Sequence, residues 1–241
     1  MQRRFTTLDV FTSERFSGNP LAVVGESDGL DAARMQAIAR EFGLPETVFV
    51  FAPTQPAHTA RLRIFTPATE LPFAGHPTVG TAALIALSRG RGNPQDLILE
   101  EQIGLVRCEV MPKGEDIAHA RFALPVLPRQ LEWSAEPAAI ASALAISPAD
   151  IDTQWFAPEK WSAGIEMCMV PIKSTRALAS ASPDLSRWED AFGATGPRAV
   201  YLFCPEGKSA STRFRARMFA PLLGIREDPA TGSAAGPSQV F

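Results

Sequence analysis

His76-Pro77-Thr78-Val79-Gly80-Thr81-Ala82-Ala83 and Asp228-Pro229-Ala230-Thr231-Gly232-Ser233-Ala234-Ala235 read as one device built twice. In each copy a polar residue able to cap a helix precedes proline, whose missing N–H costs nothing at the first helical position. Small residues follow that let backbone approach a ligand. The pattern predicts two helix starts, each offering free N–H donors to an anion. Upstream, Arg61-Leu62-Arg63-Ile64-Phe65-Thr66-Pro67 is answered at nearly the same offset by Arg215-Ala216-Arg217-Met218-Phe219-Ala220-Pro221. A looser echo links Asp31-Ala32-Ala33-Arg34-Met35 and Phe42-Gly43 to Asp184-Leu185-Ser186-Arg187-Trp188 and Phe192-Gly193. Three collinear pairs predict a duplicated unit holding a small acidic molecule between two lobes.

Local patterning fills in each copy. The first half reads as strand from Phe5 to Phe11, strand from Leu21 to Val24, helix from Asp31 to Phe42 closed by Gly43, and strand from Thr47 to Phe51. Arg61 to Phe65 alternates as a half-buried strand, and Pro77 to Leu87 is so apolar that its helix must lie inside the fold. A hairpin over Leu97 to Glu101 and Leu105 to Met111 precedes a strand near Ala118 to Leu124. The second half offers helices near Glu136 to Ala145 and Asp184 to Phe192, with strands near Glu166 to Ile172, Val200 to Cys204 and Thr212 to Phe219. The expected fold is therefore α+β: two similar lobes, each a mixed, mostly antiparallel sheet wrapped around a central apolar helix. The boundaries are residues 1–124 for the first lobe, 125–132 for a proline-bearing linker and 133–241 for the second lobe.

Composition excludes several classes of partner. A net charge of −3 with dispersed Lys and Arg gives no nucleic-acid footprint, and no apolar run is long enough or clean enough to span or anchor to a membrane. The widely spaced Cys108, Cys168 and Cys204 argue against a disulfide framework or a zinc site, so a reduced, cytoplasmic protein is expected. His58 and His119 read as surface residues, and Arg61, Arg63, Arg215 and Arg217 as solvated or salt-bridged strand faces.

Taken together, Ser17-Gly18-Asn19-Pro20-Leu21-Ala22-Val23-Val24, Leu44-Pro45-Glu46-Thr47-Val48-Phe49, Phe65-Thr66-Pro67, Phe73-Ala74-Gly75-His76-Pro77-Thr78 and Glu227-Asp228-Pro229-Ala230-Thr231-Gly232-Ser233-Ala234 resemble the PhzF-like phenazine biosynthesis isomerase family, collinearly over the whole chain. The resemblance implies the diaminopimelate epimerase fold, an active site in a cleft between the lobes, proton-moving isomerisation without cofactor or metal, and a homodimer. Carried over by motif, the catalytic residues are Glu46 as acid/base with His76 and Asp228 in support, and Asn19, Gly75, Gly232 and Ser233 line the substrate pocket. Members of that family continue well past the second motif. The resemblance thus implies an incomplete second lobe, whose central helix Pro237 should stop early.

The same chemistry follows from residue types. Moving a proton between two carbons requires a group that removes it at one position and returns it at another, which one carboxylate can do. At a pKa of about 4.3 an ordinary glutamate is a weak base, and burial or a neighbouring carboxylate would strengthen it. His76 is then expected to donate to the substrate, and the helix starts to hold its carboxylate. Two rival readings are open. Two-thiol racemisation would need a cysteine at each helix start, where none stands; a non-catalytic small-molecule-binding or interaction protein on the same scaffold needs no base at all.

Overall fold

In the computed structural model, which describes residues 2–90, 92–154, 157–193, 196–205 and 214–234, the chain opens with β1 (Phe5–Val10) and β2 (Asn19–Val24). Asp31 accepts from the Arg34 N–H, and Gly43 turns left-handed with its N–H on the Ala39 carbonyl, so α1 (Ala32–Phe42) starts and stops where its caps dictate. β3 (Glu46–Phe51), β4 (Ala60–Phe65), the two-residue β5 (Glu70–Leu71), α2 (Gly75–Ser88), β6 (Gln95–Glu101), β7 (Gly104–Pro112) and β8 (Ala118–Phe122) follow. Contacts divide the described chain into two units, residues 2–127 with 230–234, and Pro128–Pro229.

The first unit is one sheet, ordered β1-β2-β3-β4-β6-β7-β8 with β5 on β4. Period-two alternation sorts β3 between its faces. Phe49 and Phe51 join Met35, Ala39 and Phe65 in the core under α1, while Glu46 and Val48 look the other way. That other face carries α2, which touches β1, β2, β3, β6, β7 and β8. A helix in reach of both ends of a sheet requires the sheet to curve around it. α2 is apolar on every side, as an enclosed helix must be. Gly80, expected to make room for a ligand, instead makes room for the sheet: a Cβ there would stand 2.7 Å from Leu21 Cδ2 and 2.8 Å from Val10 Cγ2.

The second unit contains β9 (Arg129–Leu131), α3 (Pro137–Ala143), β10 (Glu159–Ser162), β11 (Glu166–Pro171), α4 (Thr175–Ser180), α5 (Leu185–Phe192), β12 (Ala199–Cys204), β13 (Arg215–Ala220) and β14 (Ile225–Asp228). Its sheet runs β14-β13-β12-β11-β10-β9, with Ile140, Leu144, Leu178, Trp188 and Phe192 of the helices packed on Val170, Leu202 and Phe219. The pairing repeats that of the first unit. β2 and β3 are parallel, as are β11 and β12; β3 and β4 are antiparallel, as are β12 and β13; β5 and β14 each add antiparallel to the next strand. Even a local clamp recurs. Arg63 pairs with Glu70 and lies over Phe65, and Arg217 pairs with Glu227 and lies over Phe219.

Three expectations change. Arg129–Leu131, inside the segment read as linker, is a strand because it hydrogen-bonds to β10. Residues 230–234, assigned to the second lobe, group with the first unit. The second central helix was expected to begin at Asp228; that residue ends β14, a short 3-10 turn spans Gly232–Ala234, and the positions of Pro237 and the rest of that helix lie outside the described residues.

Candidate functional site

Glu46 is the first residue of β3, opposite Leu21 of β2, on the face turned to α2. It is almost wholly enclosed, and its Oε2 lies 3.2 Å from Nδ1 of His76 on α2, itself 4% exposed. The His76 ring also donates to the Pro20 carbonyl, while Nε2 has no hydrogen-bond partner among the described residues. The ring proton therefore belongs on Nδ1, and Nε2 carries the lone pair. In that tautomer Nε2 is a hydrogen-bond acceptor.

Burial strips the imidazolium of its hydration and lowers the His76 pKa to about 3, against a smaller upward pull from the Pro20 hydrogen bond. The unfolded chain protonates this ring near pH 6.5, so between about 6.5 and 3 the unfolded state binds the extra proton. The stability that neutral His76 supplies is complete above 6.5 and drains away as pH falls toward 3. Replacing His76 by Asn should flatten that acid limb: the difference in unfolding free energy between the two proteins changes by up to about 1.4 kcal/mol per pH unit across the window, read by urea denaturation.

The start of α2 departs from the sequence expectation. Helix geometry begins at Gly75, Ala74 is the N-cap without any side-chain cap, and Pro77 is the third helical residue. Proline is harmless there because the first-turn N–H groups have no helical acceptor anyway. His76 is thus inside the helix and does not cap it, and Asp228 is the last residue of β14. No side chain caps this first turn, whose leading N–H groups have no helical acceptor.

Against this turn lies the second motif. Asn19 Nδ2 donates to the Ala230 carbonyl at 2.8 Å. A Cβ on Gly75 would stand 3.3 Å from the Gly232 carbonyl carbon and 3.5 Å from Ser233 N. One on Gly232 would stand 3.5 Å from His76 N and 2.7 Å from Phe11 Cζ. Both glycines are therefore close-approach positions where backbone meets backbone. Glu46, His76, Asn19, Gly75, Gly232 and Ser233 all belong to the first unit. Asp228 belongs to the second, where it is nearly enclosed and pairs with Met218.

Sequence reasoning missed Phe11, whose ring centroid is 6.4 Å from that of His76, because a single aromatic at the end of a strand carries no local signal. It also misread His58. That ring is largely covered and its Nδ1 lies 2.7 Å from Glu100, which in addition receives the Thr54 and Gln55 N–H groups. All three cysteines are buried, and burial pushes the Cys108 thiol up to about 12, helped by Glu101, and the Cys168 thiol higher still. Burial keeps Cys108 and Cys168 protonated, and no cysteine stands in residues 75–80 or 228–233, where two-thiol racemisation would need one.

The profile of the family described as phenazine biosynthesis-like protein matches residues 8–239. An uncharacterised isomerase of Mesorhizobium japonicum is 43% identical over 97% of this chain and 78% of its own length. A trans-2,3-dihydro-3-hydroxyanthranilate isomerase of Pseudomonas chlororaphis is 37% identical over 97% of this chain and 77% of its own. The solved structure of a predicted epimerase from Pseudomonas aeruginosa superposes with a TM-score of 0.83 at 32% identity, covering 99% of this chain and 80% of that one. No helix among the described residues is long and apolar enough to cross a membrane.

Proposed function

Because the chain belongs to the phenazine biosynthesis-like family and is an isomerase, we propose that it relocates a proton on a small, cyclic carboxylic acid with Glu46 as the single acid/base. The observation that carries this reading is the enclosed Glu46–His76 pair, 3.2 Å apart, beside a helix start that no side chain caps. The carboxylate removes a proton from one carbon and returns it at another. His76 stays neutral throughout; its Nδ1 proton orients the ring, and Nε2 accepts from a substrate hydroxyl or ammonium. The substrate carboxylate lies against the Gly75 and His76 N–H groups, where the helix dipole favours negative charge. Asn19, Gly232 and Ser233 form the wall beside it. Three enclosed free thiols suit a reducing cytoplasm, and a homodimer is the assembly that the family resemblance supports.

The test is turnover of trans-2,3-dihydro-3-hydroxyanthranilate and a panel of related ring carboxylates in deuterated water, followed by NMR and mass spectrometry. One solvent deuteron per turnover at a carbon is the expected result. Tight binding of these acids with neither product nor exchange would instead leave a binding protein.

A further inference from the structure

Glu101, the last residue of β6, has no part in the chemistry above, yet it is a carboxyl only 9% exposed. Its Oε1 lies 2.8 Å from Thr78 Oγ1, and that hydroxyl lies 2.8 Å from the carbonyl of Ala74, the N-cap of α2. Its Oε2 meets no hydrogen-bond partner among the described residues. A threonine hydroxyl owns one proton. Were Glu101 ionised, Thr78 would face two pure acceptors with that single proton, leaving one short O···O contact repulsive. Were it protonated, Glu101 donates to Thr78 and Thr78 donates to Ala74, and both separations become ordinary O–H···O hydrogen bonds.

We propose that Glu101 is a positioning residue held as the neutral acid, whose relay through Thr78 to the Ala74 carbonyl fixes the first turn of α2 and keeps that turn free to hold an anionic substrate. The inference rests on the substrate site proposed above. Ala74 directly precedes Gly75 and His76, so the relay ends on the turn that would receive the substrate carboxylate. A charged carboxylate in its place would occupy the positive end of the helix dipole and repel that substrate. Burial supports the neutral form, lifting the Glu101 pKa to about 7, while the Thr78 hydrogen bond pulls weakly the other way. Among the described residues, the titratable groups around it supply no countercharge. Cys108 of β7 is held neutral by burial, His76 of α2 is neutral, and Glu100 of the same strand is turned to His58, Thr54 and Gln55.

Two measurements test this. The first uses the protein without substrate. Between about pH 4.5 and 7 the folded state holds a proton that the unfolded state has released, so Glu101 makes the folding constant fall as pH rises, by up to about tenfold per unit, and level off above 7. Glu101→Gln, whose amide can still donate to Thr78, should lose that slope. His76 contributes an opposite slope to both proteins and cancels in the difference. A flat difference overturns the proposal. The second uses turnover: KM for an anionic substrate should rise by up to about tenfold per unit above pH 7 in the unaltered protein, with kcat little affected, and be flat in Glu101→Gln. Thr78→Val should raise KM at every pH while keeping the stability slope. Identical KM profiles in all three proteins overturn the relay. Absence of turnover with any carboxylate, alongside an intact stability difference, would count against the substrate reading and for the buried acid.

Discussion

Glu46→Gln should lower isomerase turnover by about two to four orders of magnitude and abolish solvent deuterium incorporation, with the fold intact. Glutamine has the shape of glutamate, and its amide oxygen can still face His76 Nδ1 at the 3.2 Å that separates the two side chains. What it lacks is the ability to take and return a proton. Because the change removes an interaction needed only as the proton moves, kcat should fall with little change in KM. Stability should shift by no more than about 1 kcal/mol, since the substitution keeps the side chain's shape and opens no cavity. A variant that exchanges deuterium at the original rate would show that another group carries the proton.

Gly18→Ala should destabilise the protein by about 3 kcal/mol and reduce turnover with it. Gly18 has φ +70°, a region costly for any residue with a side chain. A Cβ there would also overlap the Val10 carbonyl oxygen and approach Thr12 Cγ2 to 2.9 Å. The chain must therefore move, and what moves first is Asn19-Pro20, which donates to Ala230 and accepts from His76. Urea denaturation would report the loss as a lower midpoint at unchanged slope. Gly114→Ala is the matched control, since nothing lies within 4 Å of a Cβ at that position, and should leave the midpoint where it is.

These contrasts show what a linear reading can reach. Where one element carries its own stop and start signals, as Asp31 and Gly43 do for α1, the boundaries are legible to within a residue. The duplication is legible because strand pairing repeats along with the Arg-x-Arg-x-Phe pattern. Elements made by a partner are not. β9 and β10 are three and four residues long and exist through hydrogen bonds to neighbouring strands, and the enclosed Lys160 meets Glu166 at 2.6 Å. β5 and β14, two and four residues long, depend in the same way on β4 and β13. The start of α2 is hidden for a related reason: proline points to itself as the first helical residue, whereas packing against Phe122 and the Gly232 backbone favours the smaller Gly75 there. The alignment of the two motifs by residue type consequently matches Gly80, the sixth residue of α2, with Gly232, which opens a turn. Glu101 and Thr78 escaped notice because a hydroxyl and a carboxyl far apart in sequence advertise nothing until a helix and a strand are laid side by side.

One wall of the site is made by residues 230–234, hydrogen-bonded through Ala230 to Asn19 near the other end of the sequence. On the ribosome, the Glu46–His76 pair is synthesised early but stays open on that side until residues 230–234 have emerged. A product abandoned before that point would carry the pair without this covering segment.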